Sequence, residues 1–514
     1  MRESGILMHI TSLPAPYGIG TMGKDAYAFV DFLVRAGQRY WQILPLTPTG
    51  YGDSPYQSLG ACAGNHYLID LDRLADEGLL KKEEIQNIPW GSNPARVDFG
   101  AMYAHRMNVL RQAFQRFTPD GAYETFVEQN RSWLEDYALF TALKDTLGGK
   151  PWLDWPEALR LRKADALAEK RRELSDEIRL QYFVQYEFDR QWKALRSYAN
   201  AKGVRIIGDV PIYVPLDSAD VWANPELFQL DAHNAPTAIA GCPPDAFAED
   251  GQAWGNPLYN WNFHRATDYA WWVSRMWYSF KLYDVVRIDH FRGFDEYFSI
   301  PADAKTARGG HWEKGPGMEL FNSIRRHLGN VSVIAEDLGL MTDGVRALVR
   351  DSGYPNMKVL QFAVDPADVG GANDYWPHNY NSNCVVYTGT HDNETLAGWY
   401  AGLSIEAKTQ VRNYLSDYYT PDDRMYKVLI NLAMTAVAKD CIVPIQDHLG
   451  LGNEARMNQP GTVGFNWRWR LTPGQVTDAL AQELLAMAKR TARANWDTLP
   501  KKTPKDTDAD KAEK

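Results

Sequence analysis

The stretch VVRIDHFRG, residues 285–293, is a short apolar run that ends on a carboxylate, Asp289. Three other runs have the same form: VIAEDLG leads to Glu336, VVYTGTHDN to Asp392, and VRIIGDVPIYV to Asp209. Short runs rich in Val and Ile are typical of parallel strands buried on both faces, where an acid has no packing role. Acids at the C-terminal ends of several parallel strands are what a (β/α)8 barrel presents at its catalytic face. The pattern therefore predicts an active-site rim.

Eight candidate strands follow one another along the chain, and helical patterns separate most of them. Residues 178–200 carry apolar side chains near a 3.6-residue period, and Gly203 follows as a helix stop. Alternating strands and helices favour a parallel sheet, and a count of eight favours a closed barrel over an open, doubly wound sheet. We predict an α/β fold, a (β/α)8 TIM barrel. Its strands are GILMHIT (5–11), RYWQILPL (39–46), VRIIGDV (204–210), VVRIDHF (285–291), VSVIAED (331–337), MKVLQFAV (357–364), CVVYTGT (384–390) and CIVPIQD (441–447).

Two stretches between predicted strands are too long to be simple crossovers. Residues 60 to about 200 contain several charged amphipathic segments and are predicted to form a mostly helical insertion. Residues 215–284 centre on GCPPDAFAEDGQAWGNPLYNW (241–261), which is rich in Gly, Pro and aromatics, and we interpret them as a wall or lid over the cleft. The expected organisation is one catalytic barrel over residues 1–500 with these two insertions, followed by a charged, disordered tail, 501–514.

Composition narrows the classes of function. The chain of 514 residues is 45% hydrophobic and can bury a large core, while its net charge of −10 disfavours nucleic-acid binding. The sequence contains no run of 18 apolar residues, so no membrane span is predicted. The N-terminus has no apolar core of signal-peptide length. The four cysteines are far apart and form no CxxC pair, so neither a zinc site nor a disulfide framework is indicated, and a reducing cytoplasm is the expected location.

Aromatic residues are unusually frequent, with 18 Trp and 27 Tyr. The C–H faces of sugar rings stack on indole and phenol rings, so a cleft rich in Trp and Tyr suits a carbohydrate ligand. A large core also uses many aromatics. Only those in Gly/Pro-rich loops therefore count as evidence for a site.

The order of residues in VVRIDHF places two charges side by side. Side chains alternate along a strand, so Arg287 and Asp289 should share one face. An adjacent guanidinium favours the ionised carboxylate that a nucleophile needs to attack an anomeric carbon. The alternative is a purely structural ion pair that closes the barrel mouth.

Glu336 is the candidate proton donor. It precedes Asp337, and two adjacent acids at a strand end point to opposite faces, so one can be desolvated while the other caps the next turn. A desolvated Glu near another carboxylate has a raised pKa and stays protonated as a general acid. Asp337 is expected to be structural. In a retaining glycosidase the nucleophile and the acid are roughly 5–5.5 Å apart.

Two further positions have open alternatives. Asp392 can hold sugar hydroxyls in the geometry of an oxocarbenium-like transition state, with His391 as a hydrogen-bond donor. A histidine in such a place is often only a hydrogen-bonded rim residue. Asp209 can bind a substrate hydroxyl or brace the barrel rim, and bracing is slightly favoured.

Together these motifs resemble the conserved regions of the amylomaltases, the 4-alpha-glucanotransferases or disproportionating enzymes of glycoside hydrolase family 77. The resemblance rests on VRIDHFRG, AEDLG, GTHDN, GDVPIYV and PTGYGDSPYQ (48–57), and it extends from GILMHITSLP to GFNWRWR (464–470). Enzymes of the α-amylase type share the RxD, E and HD elements on the same barrel. GDSPYQ, PPDxF and GQxWGNPLY are characteristic of the amylomaltase branch.

The resemblance implies that Asp289 is the nucleophile, Glu336 the general acid/base and Asp392 the transition-state stabiliser. It implies transfer of α-1,4-glucan segments from a maltooligosaccharide donor to the 4-hydroxyl of glucose or of another maltooligosaccharide, with no organic cofactor and no metal. The alternatives are an α-1,4-glucan hydrolase of the α-amylase type and a non-catalytic glucan-binding protein, the latter disfavoured because all three acids are present. The implied substrate-binding residues are Arg287, His391, Asp209, Tyr56, Asp245, Trp254, Asn256 and Phe362.

Overall fold

The computed structural model describes residues 2–244, 249–339, 341–368 and 371–499, and a closed barrel of eight parallel strands forms its centre. The described strands are β1 (Glu3–Leu7), β2 (Tyr40–Gln42), β3 (Arg205–Val210), β4 (Ala238–Cys242), β5 (Gln252–Pro257), β6 (Val285–Ile288), β7 (Glu296–Pro301), β8 (His311–Lys314), β9 (Val333–Ala335), β10 (Asn356–Val359), β11 (Cys384–Tyr387) and β12 (Asp440–Pro444). Around the barrel the order is β1, β2, β3, β6, β9, β10, β11 and β12, and β12 pairs with β1 to close it.

Every predicted strand takes part in this barrel, so the predicted TIM-barrel fold is confirmed. The strands are shorter than the apolar runs that predicted them. β6 ends at Ile288 and β9 at Ala335, so the carboxylates that follow them already belong to the loops at the rim. Apolar residues of the barrel strands, such as Ile6, Trp41 and Val286, are fully buried.

Helices surround the barrel, and seven of them, from residue 71 to 201, lie between β2 and β3. The longest ends at Ala201, and Gly203 follows with a φ of 77°, a left-handed conformation that favours glycine. The helices are α1 (Lys24–Arg35), α2 (Leu71–Asp76), α3 (Lys82–Gln86), α4 (Phe99–Arg116), α5 (Gly121–Thr146), α6 (Glu157–Arg160), α7 (Ala164–Glu173), α8 (Ser175–Ala201), α9 (Ala219–Ala223), α10 (Trp261–Ala266), α11 (Ala270–Leu282), α12 (Met318–Leu328), α13 (Asp343–Ser352), α14 (Leu396–Gly402), α15 (Ile405–Leu415), α16 (Met425–Thr435), α17 (Ile445–His448) and α18 (Asp478–Arg490).

A second, antiparallel sheet of four strands, in the order β5-β4-β7-β8, was not predicted. Two of its strands come from the stretch 215–284 and two from the segment after β6. Pairing between β4 and β7 joins these segments across the intervening barrel strand. Part of the stretch 215–284 therefore belongs to a sheet, with β5 on its edge.

The barrel packs closely behind the rim. A Cβ atom on Gly208, in β3, would lie 2.1 Å from the ring of Tyr283, so only glycine fits there. The Tyr283 hydroxyl accepts a hydrogen bond from the backbone of Leu46, which holds the ring in place. Among the described helices, none combines the length and the apolar character needed to cross a membrane.

Candidate active site

Three acids meet at the C-terminal rim of the barrel. Asp289 directly follows β6 and Glu336 directly follows β9, and these strands are neighbours in the barrel. Asp392 lies in the loop after β11. The rim therefore collects acids that are 47 and 56 positions apart in the sequence, counting from 289 to 336 and from 336 to 392.

One guanidinium joins two of the predicted residues. Arg287 Nη1 lies 2.6 Å from Asp209 Oδ2, and Arg287 Nη2 lies 2.9 Å from Asp289 Oδ1. The hydroxyl of Tyr56 also donates to Asp209 Oδ2, at 2.8 Å. The Arg287 and Asp209 side chains are buried, whereas Asp289 is 29% exposed. Asp289 is therefore oriented from behind and open to the cleft in front.

Two backbone N–H groups hold the carboxyl of Glu336. His290 N donates to Oε2 at 2.6 Å, and Leu338 N donates to Oε1 at 2.8 Å. Burial and, next, the nearby charge of Asp289 raise the pKa of Glu336 to about 8, although Arg287 and the two backbone donors oppose this. A carboxyl that stays protonated at neutral pH beside an ionised one is suited to general acid catalysis.

Asp337 has a different environment. Its carboxylate accepts hydrogen bonds from Asn356 Nδ2 at 2.9 Å and from Met357 N at 3.1 Å, and the side chain is buried. It thereby ties the end of β9 to β10. This is the structural role expected from the sequence.

Asp392 is held by residues from a later loop. Asn458 Nδ2 donates to Asp392 Oδ1 at 2.6 Å, and His391 Nε2 lies 3.3 Å from the same oxygen. Arg456 donates to the Asp392 carbonyl at 2.6 Å. The His391 ring stacks on Tyr56, with centroids 5.1 Å apart. Asp392 and Asp209 are thus connected through the stacked His391 and Tyr56.

A cleft of about 1090 Å³ opens over these residues. Asp289 and Asp392 both line it, and so does His290, whose backbone binds Glu336. A cleft with aromatic walls and a few convergent charges suits an oligosaccharide. The other predicted residues in its lining are Tyr56, His391, Trp254 and Asn256.

Four predicted residues are not part of the described lining of the cleft: Glu336, Arg287, Asp209 and Phe362. Arg287 and Asp209 are buried behind the described lining of the cleft. Phe362 is 41% exposed and packs edge-on against Tyr375, outside that lining. Asp245 lies outside the described residues.

Sequence reasoning missed several lining residues. Asn458, Trp467 and Tyr213 line the cleft, together with residues 460–463. The available signal was NQPGTVG, a Gly/Pro-rich segment that follows the last barrel strand. Within the described ranges, no group of three or more His, Cys, Asp or Glu side chains could hold a metal ion.

Comparison with known proteins identifies the family. The family profile described as 4-alpha-glucanotransferase matches residues 8–477 of the chain. The chain belongs to the 4-alpha-glucanotransferase family. A member from Thermus thermophilus is 48% identical over 503 residues, covering 96% of this chain and 99% of the relative. One from Clostridium butyricum is 45% identical over 488 residues, covering 94% and 99%. The predicted family and enzyme class are therefore confirmed.

The fold of this 4-alpha-glucanotransferase family member also agrees with solved structures. The amylomaltase from Streptococcus agalactiae in complex with acarbose superposes with a TM-score of 0.93 at 43% identity, covering 96% of this chain and 100% of that one. The amylomaltase from Corynebacterium glutamicum has a TM-score of 0.76 at 18% identity, covering 96% and 75%, and shares the fold.

Proposed function

We propose that this enzyme transfers α-1,4-glucan segments from a maltooligosaccharide donor to the 4-hydroxyl of an acceptor sugar, with retention of configuration. The observation that carries the proposal is the pairing of two unlike carboxyl groups at adjacent strand ends. Arg287 holds Asp289 as an ion pair, while burial keeps the pKa of Glu336 raised to about 8. Cleavage of a glycosidic bond with retention requires one ionised carboxylate as the nucleophile and one protonated carboxyl group as the acid.

In the first displacement, Asp289 attacks the anomeric carbon of the donor, and Glu336 gives its proton to the departing glycosidic oxygen. The Arg287 ion pair uses Asp289 Oδ1, which leaves the second oxygen available for the attack. The bond from the anomeric carbon to Asp289 forms as the bond to the leaving oxygen breaks. The product is a β-linked glucosyl enzyme.

In the second displacement, Glu336 takes the proton of the acceptor 4-hydroxyl, and that oxygen attacks the anomeric carbon. Asp289 leaves as a carboxylate, which Arg287 stabilises. Asn458 positions Asp392, which binds hydroxyl groups of the sugar. These hydrogen bonds become stronger in the transition state than in the ground state. Two inversions restore the α-1,4 linkage.

Transfer requires that an acceptor sugar outcompetes water. The cleft offers aromatic faces for the acceptor at Trp254 and Trp467, and Asn256 supplies a buried amide. Trp254 and Asn256 belong to β5, which supports the proposal that residues 215–284 cover the cleft of one catalytic unit spanning residues 1–500. Asp245 and Phe362 remain proposed contacts. That an amylomaltase was solved with acarbose supports a carbohydrate ligand here.

The products formed from maltotriose test the proposal. A transferase yields glucose together with longer maltooligosaccharides, whereas a hydrolase of the α-amylase type yields only shorter products. Asp289→Ala should abolish turnover, by at least about 10³-fold, while binding of maltooligosaccharide largely persists. Shortening alone would support the hydrolase, and persistent turnover by Asp289→Ala would exclude Asp289 as the nucleophile.

A further inference from the structure

A second groove, here called the outer groove, lies between α5, α9 and α11. Its volume, counted with the space that is open to solvent, is about 830 Å³. It shares no described lining residue with the catalytic cleft. The mechanism proposed for the cleft gives this groove no role.

Aromatic rings form much of the outer groove. Trp133 comes from α5, and Trp271, Trp277 and Tyr278 come from α11. Trp277 is 45% exposed, although burial of an indole ring is favourable. The ammonium of Lys281 lies 3.4 Å from the centroid of this ring. Trp133 packs edge-on against Tyr278 at 5.6 Å between centroids. The rings are therefore held in place while indole surface stays open to solvent.

Polar side chains line the groove together with these rings. Gln129, Ser132 and Asp136 extend from α5 and Ser274 from α11, while Asp220 and Asn224 lie in and just after α9. The described lining of the groove contains no Leu, Ile, Val or Met, and the described lining of the catalytic cleft contains only Ile212 and Val463 of these residue types. Grooves that bind peptides or helices rely on apolar anchors and aliphatic pockets. Flat rings combined with hydrogen-bonding groups suit sugar rings.

The outer groove and the cleft lie back to back. Arg275 is part of the groove wall, and its guanidinium donates to the carbonyls of Pro211 at 2.6 Å and Ile212 at 3.0 Å. Both of these residues line the catalytic cleft. A long chain bound in the groove would therefore keep other parts of the same molecule near the catalytic acids.

We propose that the outer groove is a second binding site for α-glucan, which retains long chains beside the catalytic cleft. The choice of α-glucan as the ligand rests on the function proposed above. Binding at a second site makes engagement of the cleft intramolecular and raises its effective concentration. Long glucans gain from this, whereas maltotriose does not.

Two variants and one control test the proposal. Trp277→Ala removes an open ring, and Ser274→Arg obstructs the groove at an exposed position without removing packing. Trp496→Ala removes a Trp of similar exposure, 49%, outside both sites. We expect both groove variants to lose retardation in native gels that contain amylose, and to raise KM for amylose about tenfold. Their kcat/KM for maltotriose should stay within about twofold of wild type, as should all values for the control.

The results separate the alternatives. Wild-type retardation and KM in both groove variants would overturn the proposal. If sedimentation equilibrium shows that Trp277→Ala changes the mass of the particle while amylose binding is unchanged, the groove is a contact between copies of the chain and the glucan assignment is wrong. If the groove variants lose retardation in amylose gels but the wild-type enzyme does not disproportionate maltotriose, the groove is a glucan-binding site and the proposed function is refuted.

Discussion

The carboxyl of Glu336 accepts a hydrogen bond from the backbone N–H of His290, over 2.6 Å. His290 follows Asp289 directly and has a φ of 52°, in the left-handed region that few residues other than glycine adopt. This turn points the N–H towards the end of β9. A single peptide unit thereby fixes the proposed acid relative to the proposed nucleophile, with no flexible side chain between them.

The conformation of His290 should matter more than its imidazole. His290→Asn keeps a residue that tolerates the left-handed region, whereas His290→Val introduces a β-branched residue that does not. We expect kcat for maltotriose to fall less than about tenfold in His290→Asn and about 100-fold or more in His290→Val, since small misplacements of reacting groups cost that much. Equal losses in the two variants would show that the turn has no special role.

The pH dependence of the reaction should report the protonation of Glu336. Its pKa is raised to about 8, so the acid is protonated below that value and is lost as the pH rises through it. We therefore expect kcat/KM to fall above about pH 8. In His290→Val the alkaline limb should move to higher pH, because the lost hydrogen bond stabilised the charged form. A rate that is flat up to pH 10 would contradict this assignment.

The same titration predicts how stability varies with pH. Because folding raises the pKa of Glu336 from 4.5 to about 8, its favourable contribution is complete below pH 4.5 and disappears as the pH rises through 8. Glu336→Gln cannot titrate, so its Tm relative to wild type should increase between pH 5 and pH 8.5. Glu169→Gln, on the exposed part of α7, is the control. A Tm difference that does not change with pH would contradict the raised pKa.

Much of the barrel and of its rim was predictable from the sequence. Barrel strands are buried on both faces, so each gives a continuous apolar run, and the residue after the run must lie at the rim. Asp289 and Glu336 were placed in this way. The pairing of Arg287 with Asp289 followed from strand alternation, and the 2.9 Å contact confirms it.

Other features left no local trace in the sequence. The sheet that contains β4 and β5 forms by pairing with β7, on the far side of a barrel strand, and its short strands lack a clear alternation. The contact between Asn458 and Asp392 joins residues 66 positions apart. Arg287 contacts Asp209 as well as Asp289, and the contact with Asp209 depends on the register of β3 against β6. Contacts of this kind arise only when the barrel closes.

Gly208 should be intolerant of any side chain. A Cβ there would lie 2.1 Å from the ring of Tyr283, which its hydrogen bond to Leu46 holds in place. We expect Gly208→Ala to lower the free energy of unfolding by about 2 kcal/mol or more, as overpacked cores do. Gly309→Ala is the control, because no heavy atom lies within 4 Å of its added Cβ. Urea unfolding of both variants checks this, and equal midpoints would contradict the predicted clash.

The guanidinium of Arg287 should support stability and catalysis through different partners. Arg287→Met leaves the buried Asp209 without its cation, which should cost about 3–5 kcal/mol of unfolding free energy. Adding Asp209→Asn removes that charge while Tyr56 can still donate to the amide oxygen, so the double variant should regain most of the stability. Activity on maltotriose should stay low in both, because Asp289 still lacks the guanidinium at 2.9 Å. Urea unfolding and maltotriose assays on the two variants separate the effects, and recovery of activity together with stability would show that Arg287 acts only through the fold.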